Sequence, residues 1–390
     1  MPRPDLDALP TIIVAPPASG DAGPMINQAI QSVTFNGTRP GRVVLLSGTY
    51  TIITQVRMVS NLVLQGQADW SAQLINQQVL GGGGFGIAIF VYQDYVGNAV
   101  TNIALVDMYV DIASTGNFMT AIRCDDVVGI WIEHCFFDNT IAPPWIQNNP
   151  WTIHAVLFAG SCDDMVVTRC RTKYSQIKTG TSGTASGVCE VSYNYCENPT
   201  NFGFSHVMQV DGQLGHYRAI GNYVKDPFGQ GGFYVGTDST IANYGTILSA
   251  TIENNIIDGA WMASGNAVGI TFRPPRQTGD VLIAGNVVVN RTTGSLPNNG
   301  FGINIKAEVR GTNVARIGLH DNYVEYTDLN GILVATNCPY VELYRNRCYR
   351  TRVPQILCQT AVGSPDELRV FSHDEITPVT LLPRAVALSS

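Results

Sequence analysis

Four residues spread through the middle of the chain, Asp211, Thr237, Arg273 and Lys306, are of the types from which sugar chemistry is built. An arginine or lysine can take a proton from the carbon beside a carboxylate while a neighbouring cation neutralises that carboxylate, which is what β-elimination from a uronate requires. Asp211 and Asp238 are alternatively a carboxylate pair for hydrolysis, given a separation of ~5–9.5 Å. Gln209, Thr271 and Asn304 flank the four, with His206, Asp238, Arg276 and Glu308 close by as groups to hold hydroxyls or move protons. His206 and His216 bracket Asp211, so an acid–base histidine is a further option, beside the plainer reading of a structural or solvated imidazole. Upstream, Trp145 and Trp151 lie in TIAPPWIQNNPWTI (140–153), where their rings would stack on a sugar or pin the loop to the body.

Residues so far apart meet only if the chain repeats. It does: DVLIAGNVVVN (280–290) recurs as ATIENNIIDG (250–259), ARIGLHDNYVEYTD (315–328), YVELYRNRCYRT (340–351), YRAIGNYVKD (217–226) and CEVSYNYCEN (189–198). Each copy is a strand, a pinch and a strand. Asn194, Asn222, Asn255, Asn286, Asn322 and Asn346 hold the pinch, with Cys135 and Cys170 in that place upstream. Asn suits the pinch because it tolerates left-handed backbone angles and its amide reaches the Asn of the next coil. β-formers recurring in this way predict a solenoid whose coils cover one another. A third strand completes each coil, aligned here as AIRCD (121–125), AVLFA (155–159), VMQVD (207–211), FYVGT (233–237), GITFR (269–273), GINIK (302–306), GILVA (331–335) and QILCQ (355–359). Alternation then turns Met208, Tyr234, Ile270 and Ile303 inward. Two outward columns remain, one through Gln209, Val235, Thr271 and Asn304, the other through Asp211, Thr237, Arg273 and Lys306. With coils stacked at about 4.8 Å these columns are rows of neighbouring side chains, although a solvated sheet face would also carry mixed charge.

Three strands per coil and an Asn ladder make this chain similar to the pectate-lyase-like, single-stranded right-handed parallel β-helix superfamily, which includes carbohydrate-active enzymes and phage tailspike bodies. The resemblance covers about 300 residues. GRVVLLSGTYTI (41–52) and SNLVLQGQ (60–67) resemble the opening coil of that superfamily, and Met25, Ile26, Ala29, Ile30 and Val33 after Pro24 predict the short helix that caps it. The expected division is an N-terminal segment, helix and first coil over 1–66, the β-helix over 67–360, and a cap or subunit-crossing tail over 361–390. The resemblance implies a carbohydrate-active enzyme, in first place a lyase using an Arg or Lys base. Its alternatives are a glycoside hydrolase or fructotransferase-like enzyme with paired Asp, a glycan-binding tailspike module, and a biosynthetic enzyme for a small molecule. TFRPPR (271–276) resembles the Arg-x-Pro-x-x-Arg signature of pectate lyases without its flanking pattern or its calcium-binding carboxylates, so no cofactor is expected and Ca2+ lacks a ligand cluster.

With 390 residues, 45% hydrophobic and 14% charged, the chain has material for a continuous core. A net charge of −7 argues against nucleic acid as partner, and no apolar run reaches the ~18 residues of a membrane span. The partner expected is a poly- or oligosaccharide, with a homotrimer as one arrangement. MPRPDLDALP lacks the basic-then-apolar form of a signal peptide, so synthesis in the cytoplasm is the expectation, with secretion or a place on a virion left open. Nine cysteines match no zinc spacing, and several fall at inward or ladder positions, as buried thiols would.

Overall fold

The structure, a computed structural model, describes residues 8–78, 86–92, 99–112, 119–139, 153–181, 187–199, 202–208, 213–227, 231–237, 245–259, 268–290, 300–306, 313–325, 327, 329–336, 338, 340–351, 354–360, 368–373, 377–382 and 385–387. The chain divides into two compact units, Met1–Thr179 with Ser192–Cys196, and Gly180–Val191 with Glu197–Ser390. Both are built as a three-sheet parallel β-helix.

In the first unit the first sheet takes Thr11–Val14, Gly41–Leu45, Leu62–Gln65, Thr101–Val106, Val128–Glu133 and Asp163–Thr168, each parallel to the next. Short strands such as Tyr109–Asp111, Phe136–Asp138 and Arg171–Lys173 form the second sheet, and Gly86–Val91, Met119–Asp125 and Ile153–Ala159 belong to the third. The predicted helix spans Gly23–Thr34, with Pro24 in its first turn where the missing N–H costs nothing. It buries Ile26, Ala29, Ile30 and Val33 against Thr11–Val14, Gly41–Leu45 and Val56–Arg57. A side chain at Gly23 would strike the Thr54 carbonyl, so only glycine lets the helix start so close to the coil. No helix among the described residues is long and apolar enough to cross a membrane.

The second unit repeats the plan with more coils. Its first sheet runs Gln213–Ile220, Thr246–Glu253, Gln277–Ala284, Asn313–His320, Val341–Tyr344, Leu368–Ser372 and Ala385–Ala387. Its third runs Phe202–Met208, Gly231–Thr237, Val268–Arg273, Phe301–Lys306, Ile332–Ala335, Ile356–Gln359 and Val379–Leu381. Between the first and second sheets stands the ladder. Nδ2 of Asn222, Asn255, Asn286 and Asn322 donates to Oδ1 of the Asn in the next coil at 2.9, 3.0, 3.0 and 2.9 Å. The second hydrogen of each amide goes to a carbonyl of the coil before, on Val191, Ala219, Ile252 and Ile283. In the first unit Asn194 donates to the Val167 carbonyl at 2.9 Å, while the Sγ atoms of Cys135 and Cys170 reach the equivalent carbonyls of Leu105 and Ile132 at 3.7 Å, long for a hydrogen bond and weak.

One detail of the pinch departs from expectation. The left-handed residue is the one before the ladder position, namely Tyr193, Gly221, Asn254, Gly285, Asp321 and Arg345, with φ between 51 and 65°. The ladder Asn is therefore chosen for its amide, not for its backbone. All nine cysteines are buried free thiols. Burial pushes those of Cys162 and Cys196 up to about 12, far from the reactive range.

Replacing Asn255 by Ala removes both donors and the Oδ1 that accepts from the backbone N–H and side chain of Asn222. Leaving such buried groups unpaired costs ~1–3 kcal/mol apiece. The thermal unfolding midpoint of Asn255→Ala, followed by circular dichroism, falls well below that of the parent, and Asn255→Cys, which copies the upstream coils, falls less.

Candidate functional site

The third sheet of the second unit positions most of the predicted site, and its register decides which residues share a row. Phe204 pairs with Phe233, Phe233 with Ile270, Ile270 with Ile303 and Ile303 with Ile332. All five point into the core and are buried. Directly before each stands a glycine: Gly203, Gly232, Gly269, Gly302 and Gly331. A Cβ at any of these would run into Val224, Ile257, Val288, Val324 or Cys348 of the second sheet. The motif Gly-apolar-x-apolar thus marks where the third sheet crosses close to the second, and side-chain bulk is excluded there.

This register moves some predicted residues and keeps others. Thr271, Asn304 and Leu333 form one outward row as expected, and Lys306 pairs with Ala335 in the other. In Gly231–Thr237 the alignment is shifted by one residue. Tyr234, expected inside, faces outward beside Thr271, while Val235, expected outside, is fully buried. Gly236, not Thr237, lies beside Arg273. In Phe202–Met208 the shift is four residues, so Ser205 pairs with Tyr234, Val207 pairs with Gly236, and these two hold the places assigned to Gln209 and Asp211. Gln209, Asp211, Asp238, Trp145 and Trp151 lie outside the described residues, as does the side chain of Thr237.

His206 is corrected most plainly. It was expected at a strand end near substrate, but it points inward, is wholly buried, and lies against Tyr217 with ring centroids 5.3 Å apart. Burial pushes its pKa down to about 3, so it is a neutral core side chain at ordinary pH. Phe204 and His206 occupy the same inward positions as Phe233 and Val235, which explains why an imidazole is found in an apolar column.

The rows that remain have a definite chemistry. Tyr234, Thr271 and Asn304 stand in line, and beside them Gly236, Arg273, Lys306 and Ala335. Phe272 pairs with Ile305, and Arg273 and Lys306 are the last residues of those two adjacent strands. The Arg273 guanidinium carbon lies 5.4 Å from the centre of the Tyr234 ring, close enough for a cation–π attraction. Lys306 is exposed, Arg273 and Tyr234 are half-buried, and Thr271 and Asn304 are buried. A side chain at Gly236, whose φ is +129°, would strike the Arg273 carbonyl. Two adjacent cations are therefore bounded by Gly236 on one side and small Ala335 on the other, with a hydroxyl and an amide in the parallel row. Among the described residues no group of three or more His, Cys, Asp and Glu could hold a metal ion. Tyr234 is the functional candidate that the sequence alignment missed, and the glycine column was the signal that would have found it.

The same sheet of the first unit carries a comparable outward row, Arg57, Phe90, Arg123, Leu157 and Lys178. Arg123 there is held by the Asp125 carboxylate at 2.9 Å. His154, near Lys178 and Arg123, is pushed down to about 3, first by burial and then by those two cations.

No protein-family model and no curated protein sequence matches the chain. Solved structures do match in fold. The A-module of mannuronan C-5 epimerase AlgE6 from Azotobacter vinelandii superposes with a TM-score of 0.51 at 12% identity, over 95% of this chain and 96% of that one. The tailspike protein of E. coli bacteriophage HK620 gives 0.54 at 12% identity, over 96% and 78%. The family 28 exopolygalacturonase of Yersinia enterocolitica gives 0.53 at 11% identity, over 97% and 79%. At this identity the likeness is one of fold alone, a parallel β-helix of three sheets.

Both buried histidines are deprotonated when folded and have an ordinary value near 6.5 when unfolded, so the unfolded chain binds more protons between those limits. Stability is accordingly full above pH 6.5 and falls as pH drops from there towards 3. The unfolding midpoint measured from pH 7.5 to 4 declines in the parent, and it declines less steeply in His206→Leu.

Proposed function

We propose that this protein acts on a uronate-containing polysaccharide bound across the third sheet, with Arg273 and Lys306 as the carboxylate-binding and proton-abstracting groups of a β-elimination. The observation that carries the reading is the adjacency of those two cations. Arg273 and Lys306 close two adjacent strands, one residue beyond the Phe272–Ile305 pair, so both basic groups reach the same stretch of the sheet face. The planar fork of Arg273 suits a carboxylate bidentately, and Tyr234 beside it offers a face for a sugar ring. Two of the structures similar in fold are enzymes named for polyuronides, a mannuronan epimerase and an exopolygalacturonase, which agrees with an acidic glycan.

The chemistry then runs as follows. Arg273 binds the uronate carboxylate and stabilises the charge that develops there when the C5 proton leaves. Lys306 accepts that proton as general base, and the departing C4 oxygen takes one from water. The electron pair of the C5–H bond forms the C4–C5 double bond, and the C4 oxygen departs with the other half of the chain. Thr271 and Asn304 hold ring hydroxyls in the parallel row. The tailspike likeness supports a second reading, in which the same row binds an acidic glycan without cleaving it.

The test is turnover on polygalacturonate, alginate, a neutral glucan and a fructan, reading ultraviolet absorbance of unsaturated uronate against reducing-end release. Lys306→Gln lowers kcat by about 10²-fold or more on the uronate substrate, and Arg273→Gln chiefly raises KM. Parent-like turnover in both variants overturns the assignment. Reducing ends without unsaturated product point to hydrolysis, and uronate binding without either product points to the tailspike-like reading.

A further inference from the structure

The last coils of the second unit's first sheet carry a cleft on their outer face, apart from the third-sheet row. Its volume is about 360 Å³, within the range of small-ligand pockets, and it is lined by Arg316, Tyr340, Glu342, Phe371 and His373. Gly318 pairs in register with Glu342, and Glu342 with Phe371, so three successive coils line it, and Asp280 of the coil before pairs with Arg316. Tyr340 and Phe371 stand 6.0 Å apart with planes inclined by 22°, forming a continuous aromatic wall, and half of Tyr340 is exposed (50%). Opposite in character is the polar side, where Arg316 hydrogen-bonds the Glu342 carboxylate and His320 Nε2 lies 3.9 Å from the same carboxylate. That bond from Arg316 holds Glu342 below the usual carboxylate range, against the opposing effect of burial. Gly318, paired with Glu342, stands in a crowded place: a Cβ there would sit 3.2 Å from His320 Nε2 and 3.3 Å from Leu282 Cδ1.

We infer that this cleft binds a neutral oligosaccharide, whose ring stacks on Tyr340 and Phe371 while its hydroxyls meet Arg316 and Glu342. A sugar ring presents an apolar C–H face and a rim of hydroxyls that both donate and accept. The cleft offers an open aromatic face for the first, and for the second a coplanar donor fork beside a two-oxygen acceptor. Charge selects a neutral ligand. Asp280 and Glu342 offset Arg316, and Asp321 offsets Arg345 at the rim through a 2.7 Å ion pair, so the surroundings hold no excess of cations to attract a carboxylate.

The test is an array of neutral trisaccharides of glucose, galactose, mannose and N-acetylglucosamine, with trigalacturonate alongside, probed with the full chain and followed by titration calorimetry of any that bind. At least one neutral trisaccharide binds; Tyr340→Ala weakens it about tenfold, and Tyr340→Phe leaves it within about threefold. Arg273→Gln with Lys306→Gln leaves this binding unchanged while abolishing that of trigalacturonate, so failure of either site is read separately. The inference is overturned if no neutral trisaccharide binds. It is equally overturned if Tyr340→Ala binds like the parent while folding like it, or if Tyr340→Ala weakens trigalacturonate instead.

Discussion

Everything on the surface of the second unit depends on a hydrogen-bonded column that no solvent reaches. Asn222, Asn255, Asn286, Asn322 and Asn346 are at most 1% exposed, and each amide from Asn222 to Asn322 spends its two hydrogens on different coils. A buried amide left half-satisfied is costly, so the ladder tolerates only one alignment of each coil on the next. A slip of one residue would break the column and at the same time turn every strand's core face outward. The first unit shows what a weaker version looks like. Cys135 and Cys170 keep the ladder's volume and its direction towards a carbonyl, but at 3.7 Å a thiol holds register mostly by filling space.

The ladder fixes the corner between the first two sheets; the glycine column fixes the approach of the third. Gly203, Gly232, Gly269, Gly302 and Gly331 each face the second residue of a second-sheet strand, where Val224, Ile257, Val288, Val324 and Cys348 leave no room for a Cβ. Given both constraints, the outward rows follow without further choice. Arg273 is four residues beyond Gly269 and Lys306 four beyond Gly302, so the two cations become neighbours because two glycines are. The site is thus specified by residues that take no part in its chemistry.

That dependence explains how much could be read from the sequence. The ladder was legible because an Asn between two apolar runs is rare and recurs, and the capping helix was legible because Ile26, Ala29, Ile30 and Val33 follow a helical period after a proline. Thr271, Asn304, Arg273 and Lys306 were placed correctly because GITFR and GINIK each begin with the glycine and alternate cleanly. Alignment failed where alternation carries no information. GGFYVGT is apolar or glycine at nearly every position, so either face could be inward, and only steric exclusion at Gly232 decides. In FGFSHVMQVD the segment VMQVD alternates better than GFSHV, and nothing in a histidine's type announces that His206 will be buried beside Tyr217. The left-handed turn was assigned to the ladder Asn because Asn tolerates it, yet Tyr193 and Arg345 adopt that geometry one position earlier. Propensity named a residue that could bend, and the hydrogen bonds required it elsewhere.

Charge placement separates the faces. On the first and second sheets of the second unit, cations meet carboxylates of a neighbouring coil: Arg218 with Glu190, Lys225 with Glu197, Arg316 with Glu342, Arg345 with Asp321 and Arg350 with Glu325. Exposed pairs of this sort contribute at most about 1 kcal/mol each, so their recurrence says less about stability than about avoiding like charges in register. The third sheet brings Arg273 and Lys306 to the ends of adjacent strands. It does so where Thr271 and Asn304 are 3% and 8% exposed although they point away from the core, so polar groups there are already shielded from water. Cations beside dehydrated hydrogen-bonding groups interact more strongly with an anion than the same cations on an open face. The cleft around Tyr340, where Arg316 is met by Glu342 and lies in register with Asp280, is left to recognise its ligand by ring stacking and hydroxyl geometry.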